Sequence, residues 1–227
     1  MEKDIKACIF DLFFTLIIPA YTGEKTEYGI LGITKEEWEH YAEDQELYME
    51  RASGKVKVAE EIIENIFDKM GRTVSASDKA EILKIRVQRM KQALFHIDPL
   101  ILSTLRVLKE KQIKLCLISN ADVIDTMYWS ESPLALLFDE VIFSHKVSFL
   151  KPHPKIYQIA LDKMKIRSEQ CFYVGDGGSE ELKGAKEVGM KTVLSGYLIK
   201  NEGQNEILQW ADYYISDFNE IISVLNE

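Results

Sequence analysis

A chain of 227 residues is long enough for one large hydrophobic core, or for a core domain that carries a smaller inserted one. Hydrophobic residues (46%) and charged residues (29%) occur in the proportions of an ordinary globular protein. The formal net charge of −9 argues against a surface that binds nucleic acid or an anionic membrane, because no basic excess is present to neutralise phosphate groups.

The first predicted element is a strand over residues 5–10, followed by the sequence Asp-Leu-Phe-Phe-Thr-Leu at positions 11–16. A short and nearly continuous apolar run is typical of a strand that is covered on both faces in a parallel sheet. Ligands of such sheets bind beyond the carboxyl ends of the strands, where Asp11 would lie. Taken alone, Asp11 is equally well explained as a turn or helix-capping residue.

Residues 17–97 show helical periodicity and no strand pattern. The first part, residues 17–33, is rich in Gly, Thr, Tyr and Pro and is predicted to be a loop. Thr34 and Glu37 then have the spacing of a capping box, which predicts the start of a helix. We expect an all-helical domain inserted after the first strand, with helices over about 34–51, 58–70 and 77–95.

From residue 98 onward, predicted strands alternate with helices, which is the pattern of βαβ units and of a parallel sheet. The expected strands are residues 113–118, 141–143, 171–174, 191–194 and 213–215. The expected helices are residues 100–111, 122–129, 155–164, 180–188 and 218–225. Residues 1–16 and 98–227 are therefore predicted to form one Rossmann-like α/β core, with strand 5–10 between strands 113–118 and 171–174.

The three cysteines, Cys8, Cys116 and Cys171, all lie within predicted strands. We expect small buried residues there rather than disulfides or metal ligands. No apolar stretch approaches the roughly 18–20 residues of a membrane-spanning helix, and residues 1–6 lack the features of a signal peptide. These observations favour a cytoplasmic protein.

Four predicted strand ends carry polar groups of complementary kinds. They are Asp11 with Thr15, Ser119 with Asn120, Lys151, and Asp176 with Glu180 and Glu181. Each alone is more often a turn residue, but a parallel sheet brings the carboxyl ends of its strands to one edge, so together they predict a pocket. Its carboxylates would repel one another and any phosphate unless a cation were present, and hard oxygen ligands suit Mg²⁺.

This ordered set of motifs resembles the haloacid dehalogenase-like (HAD) hydrolase superfamily, and most closely its subfamily I, which has a helical cap of the C1 type. The motifs are residues 11–16, 117–120, 150–157 and 175–185, and in this order they span the whole chain. The resemblance implies a Rossmann-like core with residues 17–97 as the cap. The Ala-Ser-Gly-Lys turn at 52–55 is similar to the cap loop that reaches the active site.

The resemblance also implies roles for the matching residues. Asp11 would be the nucleophile that forms an aspartyl intermediate, and Lys151 would offset the charge between Asp11 and a bound phosphate. Ser119 and the backbone around it would hold the phosphoryl oxygens. The implied substrate contacts are Thr15, Asn120, Ser53 and Lys55. The implied Mg²⁺ ligands are Asp11, the Phe13 carbonyl, Asp176, and Glu180 or Glu181 directly or through water.

One position departs from the family pattern. HAD phosphatases place a second Asp two residues after the nucleophile as general acid and base, whereas this chain has Phe13, followed by Phe14 in place of Gly. Because such a group typically contributes about 10²–10⁴-fold, we expect a phosphatase without it to be slow on poor leaving groups.

Three functions remain open on the sequence alone. The preferred one is Mg²⁺-dependent hydrolysis of a small phosphorylated metabolite, which the acidic residues of motif 175–185 favour; a phosphonatase is a variant that would need a reactive cap lysine. The second is dehalogenation of a 2-haloacid, because a halide leaves without protonation, although Asp176 and the absence of Arg from residues 17–50 argue against it. The third is a non-catalytic HAD-like protein that binds a ligand or partner. The substrate and oligomeric state are not readable from the sequence.

Overall fold

The computed structural model describes residues 5–21, 23, 25–199 and 205–225. Within these residues, parallel strands form a six-stranded sheet in the order β3-β2-β1-β4-β5-β6. The strands are β1 (Ala7–Phe10), β2 (Lys114–Ser119), β3 (Glu140–Phe143), β4 (Cys171–Gly175), β5 (Lys191–Ser195) and β6 (Tyr213–Ile215). The predicted Rossmann-like α/β fold is confirmed, and so is the prediction that β1 pairs with β2 and β4.

Helices cover both faces of the sheet, which explains why β1 is apolar at every position. Cys8 and Phe10 face one hydrophobic cluster, which includes the apolar side of α6 (Pro99–Glu110). Ala7 and Ile9 face the other cluster, which includes α9 (Pro154–Met164). Side chains of a strand alternate between its faces, so a strand buried on both sides has no polar position. The three cysteines are buried and form no disulfide.

Between β1 and α6 the described residues form helices, loops and an isolated β-bridge from Phe13 to Ile17, but no strand. The helices are α1 (Glu27–Leu31), α2 (Lys35–Ala42), α3 (Gln45–Ala52), α4 (Ala59–Met70) and α5 (Ala76–Phe95). The predicted loop 17–33 is therefore wrong at α1, which Thr26 caps by accepting a hydrogen bond from the Gly29 N–H at 3.0 Å. The predicted helix 34–51 is two helices, because the Asp44 carboxylate accepts hydrogen bonds from the N–H groups of Glu46 and Leu47 and begins a new helix.

The apolar residues of this helical segment continue the hydrophobic cluster on one face of the sheet, so it rests directly on the α/β part. The division into two domains at residues 16 and 98 stays a prediction. The remaining helices are α7 (Val123–Thr126), α8 (Ser144–Val147), α10 (Glu181–Glu187), α11 (Asn205–Leu208) and α12 (Ile221–Val224). The four-residue helices α8 and α11 were not predicted, since they are too short to show a helical period. Among the described residues, no helix combines the length and the apolar character needed to cross a bilayer.

Candidate active site

The carboxyl ends of β1, β2 and β4 bring the predicted polar residues to one edge of the sheet. Asp11 directly follows β1, and its N–H donates to the Val174 carbonyl of β4 at 2.9 Å. A cavity of about 870 Å³ opens above this edge, between the sheet and the helical segment. From the sheet side it is lined by Asp11, Phe13, Asn120, Asp122, Asp125, Lys151, Asp176 and Glu181, and from the helical segment by residues that include Tyr48, Arg51 and Arg86.

Lys151 lies between two buried carboxylates at the floor of the cavity. Its ammonium group donates to Asp11 Oδ1 and, at 2.5 Å, to Glu181 Oε2. Burial favours the neutral amine, but the charges of Asp11 and Glu181 outweigh it and raise the pKa of Lys151 above its ordinary value. Burial and then the Glu181 charge raise the pKa of Asp11 to about 7, with Lys151 opposing both. Thr15, also buried, has its hydroxyl 3.5 Å from Asp11 Oδ2.

Hydrogen bonds to both carboxylate oxygens fix the position of the Glu181 side chain. Besides Lys151, its Oε2 accepts a hydrogen bond from the Tyr173 hydroxyl at 2.8 Å, and its Oε1 accepts from the Gly177 N–H at 3.1 Å. A Cβ at Gly175 would lie 1.9 Å from Glu181 Oε1, so the end of β4 must be glycine for this carboxylate to fit. The fixed carboxylate in turn fixes the position of Lys151.

Asp176 completes an acidic cluster that fits a divalent cation. Asp11, Asp176 and Glu181 each offer a carboxylate oxygen, and these oxygens lie within 4.8 Å of one another. Burial and then the charge of Asp11 raise the pKa of Asp176, which means that the cluster is electrostatically unfavourable by itself. All three carboxylates also accept hydrogen bonds, so each is a candidate to meet a cation directly or through water. Glu180 lies outside the cluster: it is exposed and its Oε1 accepts from Lys183 at 3.0 Å.

Ser119 and Asn120 have different positions although they are adjacent. The Asn120 amide fixes the backbone of Lys151, accepting from the Lys151 N–H at 2.8 Å and donating to the Lys151 carbonyl at 3.2 Å. Ser119 is fully buried, and its hydroxyl has no hydrogen-bond partner among the described residues. Asn120 lines the cavity, whereas Ser119 lies behind it at the end of β2.

Ala52 of the turn 52–55 lines the cavity, but Ser53 and Lys55 do not. The Ser53 hydroxyl donates to the Glu50 carbonyl at 3.1 Å, and the Lys55 side chain is 73% exposed. Gly54 packs against α8, where a Cβ would lie 2.1 Å from the His145 carbonyl oxygen. The structure therefore does not bring these two predicted contacts together with Asp11.

Tyr48 and Arg51 of α3 line the cavity instead, and sequence reasoning missed both. Burial raises the pKa of Tyr48, while the neighbouring Asn120, Lys151 and Ser179 lower it. The Arg51 guanidinium lies over the Tyr48 ring, 5.5 Å from its centroid. Positions 48 and 51 are three residues apart and therefore share a helix face. This spacing could have predicted that both side chains point the same way, but not that they point into the cavity.

Arg86 of α5 was also missed, although it carries a recognisable signal. It takes a position between Ile82 and Met90, both buried, four residues to either side on the same helix face. An arginine at an apolar position of a buried face requires a buried partner. The partner is Asp122, 1% exposed, whose Oδ2 lies 3.6 Å from Arg86 Nη2 and 3.3 Å from Arg51 Nε.

A sequence profile of haloacid dehalogenase-like hydrolases matches residues 25–195 of the chain. The chain is 31% identical over 146 residues to the glyceraldehyde 3-phosphate phosphatase of Methanocaldococcus jannaschii, a match that covers 62% of this chain and 61% of that protein. It spans 37% of the phosphatase of the same name from Pyrococcus furiosus, with 38% identity over 88 residues. The chain therefore spans less than two thirds of the length of these relatives.

Solved structures of similar fold include two kinds of enzyme. The 2-haloacid dehalogenase of Pseudomonas syringae superposes with a TM-score of 0.68 at 21% identity, covering 98% of both chains. A HAD-family enzyme of Bacteroides thetaiotaomicron in complex with magnesium and inorganic phosphate superposes with a TM-score of 0.66 at 20% identity, covering 89% of this chain and 98% of that one. At these identities the likeness shows the shared fold.

Proposed function

Because this chain belongs to the haloacid dehalogenase-like hydrolase family, we propose that it hydrolyses a small phosphate ester by attack of Asp11 on phosphorus. The observation that carries the proposal is the buried ammonium of Lys151 between Asp11 and Glu181, beside Asp176. This arrangement keeps a carboxylate nucleophile next to a fixed positive charge. The similarity to glyceraldehyde 3-phosphate phosphatases supports a phosphate ester and makes that compound the first substrate to test.

In the proposed reaction, an oxygen of Asp11 forms a bond to phosphorus while the bond from phosphorus to the ester oxygen breaks. A water molecule then attacks the phosphorus of the aspartyl phosphate, which releases phosphate and restores the carboxylate. Lys151 remains protonated throughout, since the two carboxylates hold its pKa high, and it offsets negative charge on Asp11 and the phosphoryl group. Thr15 and Asn120 are the proposed substrate contacts, and Ser119 is proposed to act through its backbone.

We also propose that the site uses Mg²⁺. Asp11 and Asp176 would hold the ion, with the Phe13 carbonyl as a further ligand and Glu181 within reach of the same cluster. When bound, the ion neutralises charge on the phosphoryl oxygens and relieves the repulsion between the two aspartates. Glu180, exposed and paired with Lys183, is not part of the proposed metal site.

In the family pattern, an Asp at the position of Phe13 protonates the leaving ester oxygen. Phe13 cannot take this role. Its side chain lines the cavity beside Asp11 and cannot donate a proton. The proposed enzyme should therefore release stable anions, such as aryl oxides, much faster than alkoxides.

A phosphate-release assay with Mg²⁺ or with chelator tests the proposal. We expect release from glyceraldehyde 3-phosphate and from an aryl phosphate with Mg²⁺, loss with chelator, and loss in Asp11→Asn. Asp162→Asn, which removes a carboxylate on the exposed side of α9, is the matched control and should retain activity. Release that continues in Asp11→Asn would overturn the proposed nucleophile.

A second candidate function is hydrolysis of a 2-haloacid. Two features of the cavity favour it: Phe13 in place of an acid, and the arginines Arg51 and Arg86, which suit a substrate carboxylate. Halide release from 2-chloropropionate that persists with chelator and is untouched by Asp176→Asn, without phosphate release from any ester, would establish this function instead.

A further inference from the structure

Two buried arginines line the cavity opposite the Asp11 cluster. Arg51 at the end of α3 and Arg86 in the middle of α5 are each 4% exposed. Each guanidinium carries five N–H donors and keeps its charge in proteins. Buried donors are normally satisfied, because an unpaired one loses its hydration without compensation.

Several donors of these arginines make no hydrogen bond within the described residues, and neither does Asp122 Oδ2 beside them. Arg51 Nη2 donates to Glu43 Oε2 at 2.6 Å, but Arg51 Nη1 and Arg86 Nε and Nη1 make no hydrogen bond with any described residue. Arg86 Nη1 lies 3.9 Å from Glu43 Oε1, which is an ion pair at longer range. The cluster is therefore charged, buried and only partly hydrogen-bonded.

The two carboxylates that face the arginines differ in how firmly they are held. Asp122 is buried and firmly held: its Oδ1 accepts from the N–H groups of Ile124 and Asp125 as the N-cap of α7, which fixes its Oδ2 beside Arg51 Nε and Arg86 Nη2. Glu43 has a side chain that is 53% exposed. It can exchange the arginines for solvent when another carboxylate takes its place on their donors. Asp125, which also lines the cavity, accepts a hydrogen bond from the Asp122 N–H at 2.9 Å.

We infer that Arg51 and Arg86 form a second anion site, at which a carboxylate of the substrate replaces the carboxylate of Glu43. A carboxylate in that place accepts paired hydrogen bonds from guanidinium groups, which is the geometry that arginine recognises best. The same cavity of about 870 Å³ contains Asp11 and Lys151, so one molecule can carry both anionic groups. If Asp11 attacks phosphorus as proposed above, the substrates are phosphate monoesters of small hydroxy acids.

A pair of esters that differ only at the second group tests this inference. We expect kcat/KM for 3-phosphoglycerate to exceed that for glyceraldehyde 3-phosphate by about 10–100-fold, the usual effect of hydrogen bonds to a charged group. Arg86→Gln should reduce kcat/KM for the acid far more than for the aldehyde. Arg72→Gln, which removes a helical-segment arginine bonded to the Leu31 carbonyl outside the cavity, is the matched control.

Glu43→Gln should strengthen binding of the acid, whereas Arg86→Gln should weaken it. The amide keeps the shape of the side chain but no longer competes as an anion, so KM for 3-phosphoglycerate should fall while KM for the aldehyde stays within its error. A merely structural role of Glu43 in the ion-pair network would not improve binding of either ester. If Arg86→Gln fails to fold, Glu43→Gln and the preference of the wild-type protein for 3-phosphoglycerate still test the second anion site.

Calorimetry on Asp11→Asn with Mg²⁺ separates this inference from the proposed function. Tighter binding of 3-phosphoglycerate than of glyceraldehyde 3-phosphate supports the second anion site even if the native chain releases no phosphate, which would refute only the proposed function. Phosphate release from both esters with equal kcat/KM, equal affinities in calorimetry and no effect of Glu43→Gln would overturn the second anion site and leave the proposed function intact.

Discussion

Replacing Asp11 by Asn should change how the stability of the protein depends on pH. Burial and Glu181 raise the pKa of Asp11 from 3.8 to about 7 in the folded state. The folded protein therefore binds this proton more tightly than the unfolded chain does. The resulting contribution of Asp11 to the unfolding free energy is fully present below pH 3.8 and is lost as pH rises to about 7. The shift spans about three pH units at about 1.4 kcal/mol each, which amounts to about 4 kcal/mol.

Asn cannot lose a proton, so this loss of stability should be absent from Asp11→Asn. Urea unfolding in chelator between pH 4.5 and 8 measures the effect, and the difference in unfolding free energy, variant minus wild type, should rise with pH up to about 7 and then level off. Asp68→Asn removes an exposed carboxylate of α4 and controls for the loss of one charge. Added Mg²⁺ should reduce the difference, because a bound cation favours the ionised carboxylate. Parallel curves for wild type and Asp11→Asn in chelator would refute the electrostatic account of the cluster.

Three further substitutions test the site. Asp176→Asn should weaken Mg²⁺ binding in calorimetry and depress phosphate release, because it removes a charge that would hold the ion; unchanged affinity would remove Asp176 from the metal site. Phe13→Asp should accelerate an alkyl phosphate more than an aryl phosphate in steady-state assays, since the alkoxide needs the proton; equal rates on both esters in the native chain would mean that another group supplies it. Gly175→Ala should lower the unfolding free energy by about 1–3 kcal/mol and reduce kcat, because the new Cβ displaces Glu181; a melting temperature equal to that of the native protein would contradict this packing.

The sequence alone determined the architecture of the α/β part. Strand periodicity, alternation with helices and the apolar run before Asp11 were enough to place β1 at the centre of a parallel sheet, because these signals are local. The coincidence of polar residues at strand ends followed from the geometry of parallel sheets. The structure brings Asp11, Asn120, Lys151, Asp176 and Glu181 to the same cavity, as that argument predicted.

Tertiary structure decided the side of the cavity that the helical segment contributes. On a helix, a shift of one residue turns a side chain by about 100°. The prediction named Ser53 and Lys55 instead of Tyr48 and Arg51, because the orientation of α3 is set by the new helix start at Asp44. The same sensitivity separates Glu181, which faces Lys151, from Glu180, which faces solvent.

Arg86 illustrates the other limit of sequence reasoning. A buried charge is stable only with a partner, and its partner Asp122 is 36 positions further along the chain, at the N-cap of α7. Local patterns determine which elements form and which strand ends meet. The pairing of charges across two elements depends on how those elements pack, and packing exists only once the chain has folded.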